Sequence, residues 1–341
     1  MATGNVADKG TFATYNGASL NELFYEPVFR SDDIMRNYRV IPNVKHKMNV
    51  YTSAALTKIV EPYSGCSANS QDPVVQFDID NKTITAGRCR VALEQCTDEF
   101  FGTYIEEMYR NGADVMNVEG TQLGDAIVNR AVKGIAQDVV RLAWGGDTAS
   151  GSAAYTAFDG WMKLMGADAT VLAARTELSA VAPTAPTAGE SLSLLRQMYD
   201  DAPAALQQVP AGDKKIFVTP KTYNSYLSNL EGTSADLAIT NQQDGLLVVK
   251  FRGVELVPMY EWDTILADTD PAMFLRGGVN GTEGACYCAV ENLIIGSDVT
   301  DPEGSFKVFY DDLEEKMFFR GYFKLGVQFL YPSLVQWGIF Y

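Results

Sequence analysis

The chain has 341 residues, 47% of them hydrophobic, enough to bury one large core or two ordinary ones. Its 27 Lys and Arg stand against 43 Asp and Glu, a formal charge of -16 that is the wrong sign for gripping phosphates and argues against a sequence-reading nucleic-acid binder. MATGNVADKG carries no charged-then-apolar export signal, and no apolar run approaches the roughly 20 residues of a membrane span, so neither export by that route nor a membrane anchor is expected.

Residues 1–43 scatter small, polar and isolated aromatic positions (Phe12, Tyr15, Leu20, Phe24, Tyr25, Phe29) without a sustained period. That is the pattern of an extended arm, not of a packed domain. The first 60 residues carry seven basic groups, Arg30, Arg36 and Arg39 among them, and five acidic ones, so a mildly positive front end precedes a strongly negative remainder. From Lys45 the signals turn to strands: Met48, Val50 and Tyr51, then Leu56, Ile59 and Val60, and later Val75, Phe77 and Ile79 alternating with Gln76, Asp78 and Asp80. Between them YSGCSANSQDP, from Tyr63 to Pro73, is a turn-rich tip. Two long strands joined by a polar tip make a protruding hairpin, marginal in water by itself because nothing covers one of its faces.

Two helices follow. Thr97, Asp98 and Glu99 supply an N-cap with acids in the first turn, and Asn111-Gly112 stops that helix. The second begins near Thr121 and sets Leu123, Ile127, Ala131, Ile135 and Val139 at four-residue intervals, ending at Trp144-Gly145-Gly146. At about 1.5 Å per residue it spans some 35 Å, the length of a strut.

After FDGWMKLM (Phe158 to Met165) the Ala/Thr/Pro-rich stretch from Glu177 to Glu190 reads as a loop, and Leu192, Leu195 and Met198 mark a further helix. Ile216 to Val218 reads as a buried strand, with Thr219 as N-cap and Pro220 as first helical residue. Strands are expected at Leu246 to Val249 and Val254 to Val257, joined across Arg252-Gly253, and at Asn292 to Ile295. Finally Phe306 to Tyr310 and Met317 to Leu330 flank the acidic turn DDLEE as a second long hairpin, and nine aromatic residues crowd the last 25 positions.

Catalytic chemistry finds little support. A base beside a nucleophile is needed for most hydrolases, and the lone histidine, His46, sits in the basic run KHK, where a surface position is expected. The five cysteines, Cys66, Cys89, Cys96, Cys286 and Cys288, are odd in number and scattered, so reduced thiols are the expectation. Cys286 and Cys288 form an i, i+2 pair without the second pair that zinc requires. The glycines of GGVNGTEG match no phosphate or dinucleotide loop, and the acids at Asp298, Asp301 and Glu303 or at Asp311, Asp312, Glu314 and Glu315 lack calcium-loop spacing. No cofactor, metal or catalytic residue is assigned.

The order of arm, hairpin, strut helix, mixed α/β region and aromatic strand pair resembles the major capsid protein of tailed bacteriophages, an α+β fold of the Hong Kong 97 type. The phrases that carry the likeness are FDGWMKLM, FVTPKTYNSYL, FRGVELVPMYEWD, ENLIIGSD and VFYDDLEEKMFFRGYFKLGVQFLYPSLV, in that order along the whole chain. The resemblance implies an N-terminal arm at 1–43, an E-loop hairpin at 44–98, a peripheral (P) domain joining 99–150, with its spine helix, to 300–341, and a mixed α/β axial (A) domain at 151–299. Interface positions would then be Phe24, Tyr25, Phe29, Arg30, Arg36 and Arg39 in the arm, and Val60, Tyr63, Val75, Phe77 and Ile79 in the hairpin. Core positions would be Leu123, Ile127, Ile135 and Val139 on the spine helix, and Phe319, Phe323 and Phe329 on the C-terminal strands.

The same resemblance implies a structural, non-enzymatic subunit that self-assembles into the hexamers and pentamers of an icosahedral head. The head would enclose double-stranded DNA without sequence-specific binding, be built in the host cytoplasm and end in the virion. Partners would be further copies of the chain, a portal, and separate scaffolding or decoration proteins, since nothing before Lys45 has the heptads of a fused scaffold. Lys58 and Lys82 lie in the hairpin, but no motif transfers covalent cross-linking to them, and the initiator-like Met1 argues against a removed leader. The alternatives are an encapsulin-type compartment shell and, from another class, a soluble enzyme using carboxylates and a metal.

Overall fold

The computed structural model describes residues 11–15, 32–53, 79–96, 122–176, 186–232, 242–243, 246–247, 249–267, 283–298, 306–311 and 316–340. Its first half runs β1 (Thr11–Tyr15), α1 (Asp32–Asn37), β2 (Arg39–Ile41), β3 (Lys47–Ser53), β4 (Ile79–Thr85), β5 (Gly87–Cys96) and the long helix α2 (Gln122–Gly145). There follow α3 (Trp161–Ala167), β6 (Leu172–Thr176), α4 (Ala188–Asp200), α5 (Ala204–Gln208), β7 (Lys214–Val218) and α6 (Pro220–Gly232). The rest is β8 (Gln242–Gln243), β9 (Leu246–Leu247), β10 (Lys250–Phe251), β11 (Val254–Pro258), α7 (Tyr260–Ala267), β12 (Gly284–Ala289), β13 (Leu293–Ser297), β14 (Phe306–Asp311), β15 (Lys316–Phe329) and β16 (Val335–Phe340).

Local chemistry explains several boundaries. On α2 the residues Ala131, Ile135, Val139 and Ala143 are buried while Arg130, Lys133, Gln137 and Asp138 are exposed, the one-sided stripe of a helix laid on a core. It stops at paired glycines because the chain there must touch backbone: a Cβ on Gly146 would lie 2.4 Å from the Phe158 carbonyl oxygen. Helix α4 opens with a capping box, Thr187 receiving the N3 backbone N–H while Glu190 Oε2 accepts from the Thr187 N–H at 2.7 Å. Between β10 and β11 the tight turn puts Arg252 at φ 48° and Gly253 at φ 85°, the doubly positive pair of a primed hairpin turn. The Arg252 guanidinium ion-pairs with Asp200 and lies 4.9 Å from the Tyr199 ring centroid.

Two six-stranded sheets organise the chain. The first runs β1-β14-β15-β13-β2, with β5 also paired to β15 from Lys316↔Cys96 to Leu325↔Gly87. The second runs β10-β11-β7-β12-β16-β6 and is mixed, β11 parallel to β7 and β16 parallel to β6. Strands β3 and β4 form a separate pair, as do β8 and β9. Residues of α2 and the odd-numbered residues of β15, Phe319, Phe323, Leu325, Val327 and Phe329, belong to one buried cluster, so the strut covers the first sheet.

That cluster is centred on Trp144, Trp161, Trp262 and Trp337, all fully buried, which are the four tryptophans of the sequence. They come from α2, α3, α7 and β16 and thereby join the first sheet's helix to the second sheet. Trp144 sits edge-on to Trp161 at 5.0 Å and to Trp262 at 4.9 Å, and Trp262 stacks on Trp337 at 5.9 Å. Each such pair adds on the order of 0.5–1.5 kcal/mol beyond its buried area.

Four features differ from the sequence reading. Residues 32–43, expected to be part of the arm, are not an extended segment: Asp32–Asn37 is a helix, Ile34 and Tyr38 are buried, and Tyr38 stacks on Trp161 at 5.0 Å and Phe217 at 5.7 Å while its hydroxyl accepts the Trp144 Nε1–H at 2.9 Å. The aromatic C-terminus divides: β15 builds the first sheet, but β16 enters the second between β12 and β6, whereas β13 leaves the mixed α/β stretch to pair with β15. A boundary at residue 300 therefore does not coincide with the division between sheets. The hairpin closes at Thr85, and β5, expected to belong to it, is a strand of the first sheet. The strand expected at Leu246 to Val249 is split, Leu246–Leu247 pairing with Gln242–Gln243 and only Lys250–Phe251 joining the second sheet. The expected helix from Thr97, the tip from Tyr63 to Pro73 and the loop from Glu177 lie, wholly or mostly, outside the described residues.

Candidate functional site

Among the described residues no group of three or more His, Cys, Asp or Glu side chains could hold a metal ion, and no helix is long and apolar enough to cross a membrane. His46 is exposed. Cys89, Cys286 and Cys288 are buried and free, and burial pushes the Cys89 thiol up to about 12 and the Cys286 thiol above its ordinary value. A nucleophilic or metal-binding cysteine needs the thiolate, so Cys89 and Cys286 act as small apolar fillers.

The buried and half-buried charges serve the fold. Lys163 Nζ donates to Asp147 Oδ1 at 2.7 Å and to Asp159 Oδ1 at 2.6 Å, and Asp159 also accepts from the backbone and hydroxyl of Thr148 at 2.9 and 2.7 Å. Burial alone would raise the Asp159 carboxyl, but those donors hold it below the ordinary carboxylate range. The network pins the loop after α2 to helix α3. Lys215 Nζ donates to Asn37 Oδ1 at 2.6 Å and lies 3.5 Å from Glu255 Oε2, whose Oε1 meets Arg36 at 2.9 Å. Arg36, nominated above as an interface residue, is thus tied to Glu255 of its own chain while remaining more than half exposed.

What remains unexplained by packing within the chain is the β3–β4 hairpin. Its register, Lys47↔Thr85 through Ser53↔Ile79, puts Met48, Val50 and Thr52 on one face with Ile84, Lys82 and Asp80, and Tyr51, Asn49 and Ile79 on the other. The first face is anchored at its base. Ile84 is fully buried with Val44, Ile294 and Leu330, and Lys82 Nζ lies 3.7 Å from the Phe329 ring centroid and 3.6 Å from Asp168 Oδ2. Gln328 Nε2 donates to the Thr83 carbonyl at 3.0 Å, and the Ser53 N–H to the Tyr331 hydroxyl at 3.3 Å. Gly326 makes the approach possible, because a Cβ there would lie 2.4 Å from the Thr85 carbonyl oxygen.

The other face is open: Tyr51 is 71% and Ile79 66% exposed, the latter a position nominated from sequence, and the two are diagonal neighbours across the strands. Arg39 is exposed at the edge of the first sheet. Phe24, Tyr25, Phe29, Arg30, Val60, Tyr63, Val75 and Phe77 lie outside the described residues. Of the nominated core positions Ile135, Val139, Phe319, Phe323 and Phe329 are buried, while Leu123 and Ile127 lie on α2 with side chains outside the described part. Sequence reasoning missed Tyr38 and the exposed Tyr322, Leu93 and Tyr260; only Tyr322 and Leu93 carried a signal, their place in alternating strands.

No protein-family model and no curated protein matches the sequence. Among solved structures the chain is similar to a chain of the satellite phage P4 procapsid including its size determination (Sid) protein, with TM-score 0.54 and 9% identity over 93% of this chain and 96% of that one. It also aligns with the capsid of Myoviridae phage XM1 (TM-score 0.49, 11% identity, 91% of this chain and 92% of that one) and with that of cyanophage P-SCSP1u (TM-score 0.47, 13% identity, 100% and 91%). The likeness is one of fold, and with the procapsid chain it extends over 93% of this sequence.

Proposed function

We propose that this chain is the major shell subunit of a tailed-phage head, a structural protein without catalytic activity. The observation that carries the reading is the whole-chain likeness to a procapsid chain, in which the fold agrees over 93% of the sequence although only 9% of aligned residues are identical. The open hairpin supports it, since a strand pair with one bare face gains stability when many copies lean on one another. In this reading the segment before Asp32 is the arm, the β3–β4 hairpin and the residues between its strands are the E-loop, and α2 is the spine. The nominated positions Phe24, Tyr25, Phe29, Arg30, Arg39, Val60, Tyr63, Val75, Phe77 and Ile79 then meet neighbouring copies in hexamers and pentamers around double-stranded DNA. Further copies of the chain, a portal, and scaffolding or decoration proteins are the partners, the host cytoplasm the place of assembly and the virion the destination. The test is negative-stain microscopy of the purified chain: shells, rings or sheets are expected. A protein that remains a compact monomer at high concentration sinks the reading.

A further inference from the structure

Strands β5 and β15 pair over ten residues, and their alternation gives two unlike faces. One carries Cys89 and Val91 of β5 with Phe319 and Phe323 of β15 and packs into the core. The other carries Arg88, Arg90 and Glu94 of β5 with Arg320, Tyr322 and Lys324 of β15; of these Arg88, Arg90, Glu94, Arg320 and Tyr322 are exposed. The register places Arg88 directly opposite Lys324 and Arg90 opposite Tyr322, with Arg320 one step along. Four cations thus share a small face of a chain whose formal charge is -16. Arg88 and Arg90, both exposed, give this face a local positive sign opposite to that of the chain as a whole.

The side chains are laid flat, with Arg88 5.8 Å from the Tyr322 ring centroid and Arg320 5.1 Å from that of Phe318. Arg320 and Lys324 have contacts within the chain, and the backbone N–H of Lys324 donates to the buried Asp298 at 3.4 Å. Glu94, at the far end, pairs with Lys316 at 3.4 Å.

We propose that this face is where an acidic segment of a second copy of the chain docks, with Arg88 and Arg90 supplying the attraction. The inference rests on the shell reading above and names a contact within it. Two copies each at -16 repel, and association requires a local surface of opposite sign to steer and register them. The mixture of arginine, tyrosine and one carboxylate fits a protein partner, in which aromatic and arginine anchors dominate contact energies. A phosphate backbone carries a far denser negative charge than a short acidic segment and would be repelled more strongly by the acidic remainder of the chain.

The test compares wild type with Arg88→Glu/Arg90→Glu, and with Arg88→Gln/Arg90→Gln in case the double reversal folds poorly. Both positions are exposed, so melting temperature and circular dichroism should match wild type. Association, read by sedimentation and light scattering, should fall more than tenfold and should weaken for wild type as salt rises from 50 to 500 mM. Arg88→Lys/Arg90→Lys should retain most of it. Folded variants that associate like wild type overturn the inference. So does binding of a labelled 20-base-pair duplex that wild type shows and the variants lose while their association persists. A wild-type chain that self-associates through this face without forming shells, rings or sheets would refute the shell reading alone, and a strictly monomeric wild type would refute both.

Discussion

The tryptophan junction and the β3–β4 hairpin use the same kinds of residue to opposite ends. Around Trp144 every ring is enclosed, and the hydroxyl of Tyr38 and the carbonyl of Gln328 accept the Trp144 and Trp161 N–H groups at 2.9 and 3.0 Å. On the hairpin an aromatic and an aliphatic side chain, Tyr51 and Ile79, stand mostly in solvent, while the opposite face is held to the body by Ile84, Lys82 and the hydrogen bonds of Thr83 and Ser53 to Gln328 and Tyr331. The junction's apolar surface is used up within one chain. The hairpin's is not, and in the proposed shell that remaining apolar area is where a neighbouring copy would lie.

The contrast can be broken most severely at the strut. Ile135→Asp puts an unpaired charge at a buried position of α2, with an expected loss of about 3–5 kcal/mol or complete failure to fold, read from thermal unfolding. A soluble Ile135→Asp protein melting normally would show that α2 does not cover the core. Next comes Tyr38→Phe, which keeps the stacking but strands the buried Trp144 N–H; a loss of about 1–3 kcal/mol in denaturant titration is expected. No change would mean that Tyr38 acts through its ring alone.

The acid limb probes the loop that ties α2 to α3. Because the folded Asp159 carboxyl titrates below its unfolded value, its contribution is fully present above the ordinary carboxylate range and is lost as pH falls through the lowered value. Lys163 titrates above its ordinary value, so its share is present below that value and is lost as pH rises through the raised one. Melting temperature measured from pH 6 to pH 2 should fall less steeply for Asp159→Asn than for wild type, and an identical slope would assign the acid sensitivity elsewhere. The smallest effect belongs to the hairpin: Tyr51→Ser with Ile79→Ser should shift subunit stability by less than about 0.5 kcal/mol while reducing assembly seen by microscopy. A large loss of stability would place those side chains in a core.

Much of the local structure was legible. Isoleucine, alanine and valine at four-residue spacing located α2, and the double glycine after Trp144 located its end within one residue. β14 and β15 pair as the flanking sequence patterns suggested, the register closing at Asp311↔Lys316. The cause is that helix periodicity, caps and turns are properties of neighbouring residues. Tyr38 was missed because nothing near it is periodic, and its burial depends on Trp144, Trp161 and Phe217, more than a hundred positions away.

By itself, then, the sequence determined where the long helix α2 and most of the longer strands lie, and that the chain's formal charge is strongly negative. Only the tertiary structure decided which strand joins which sheet, sending β16 to the second and β13 to the first, and which side of each strand faces water. Strand partners are chosen by backbone hydrogen bonds and packing between distant segments, and no local pattern encodes them. The exposed face of the hairpin and the basic face of β5 and β15 emerged for the same reason: a surface exists only after the core beneath it has been chosen.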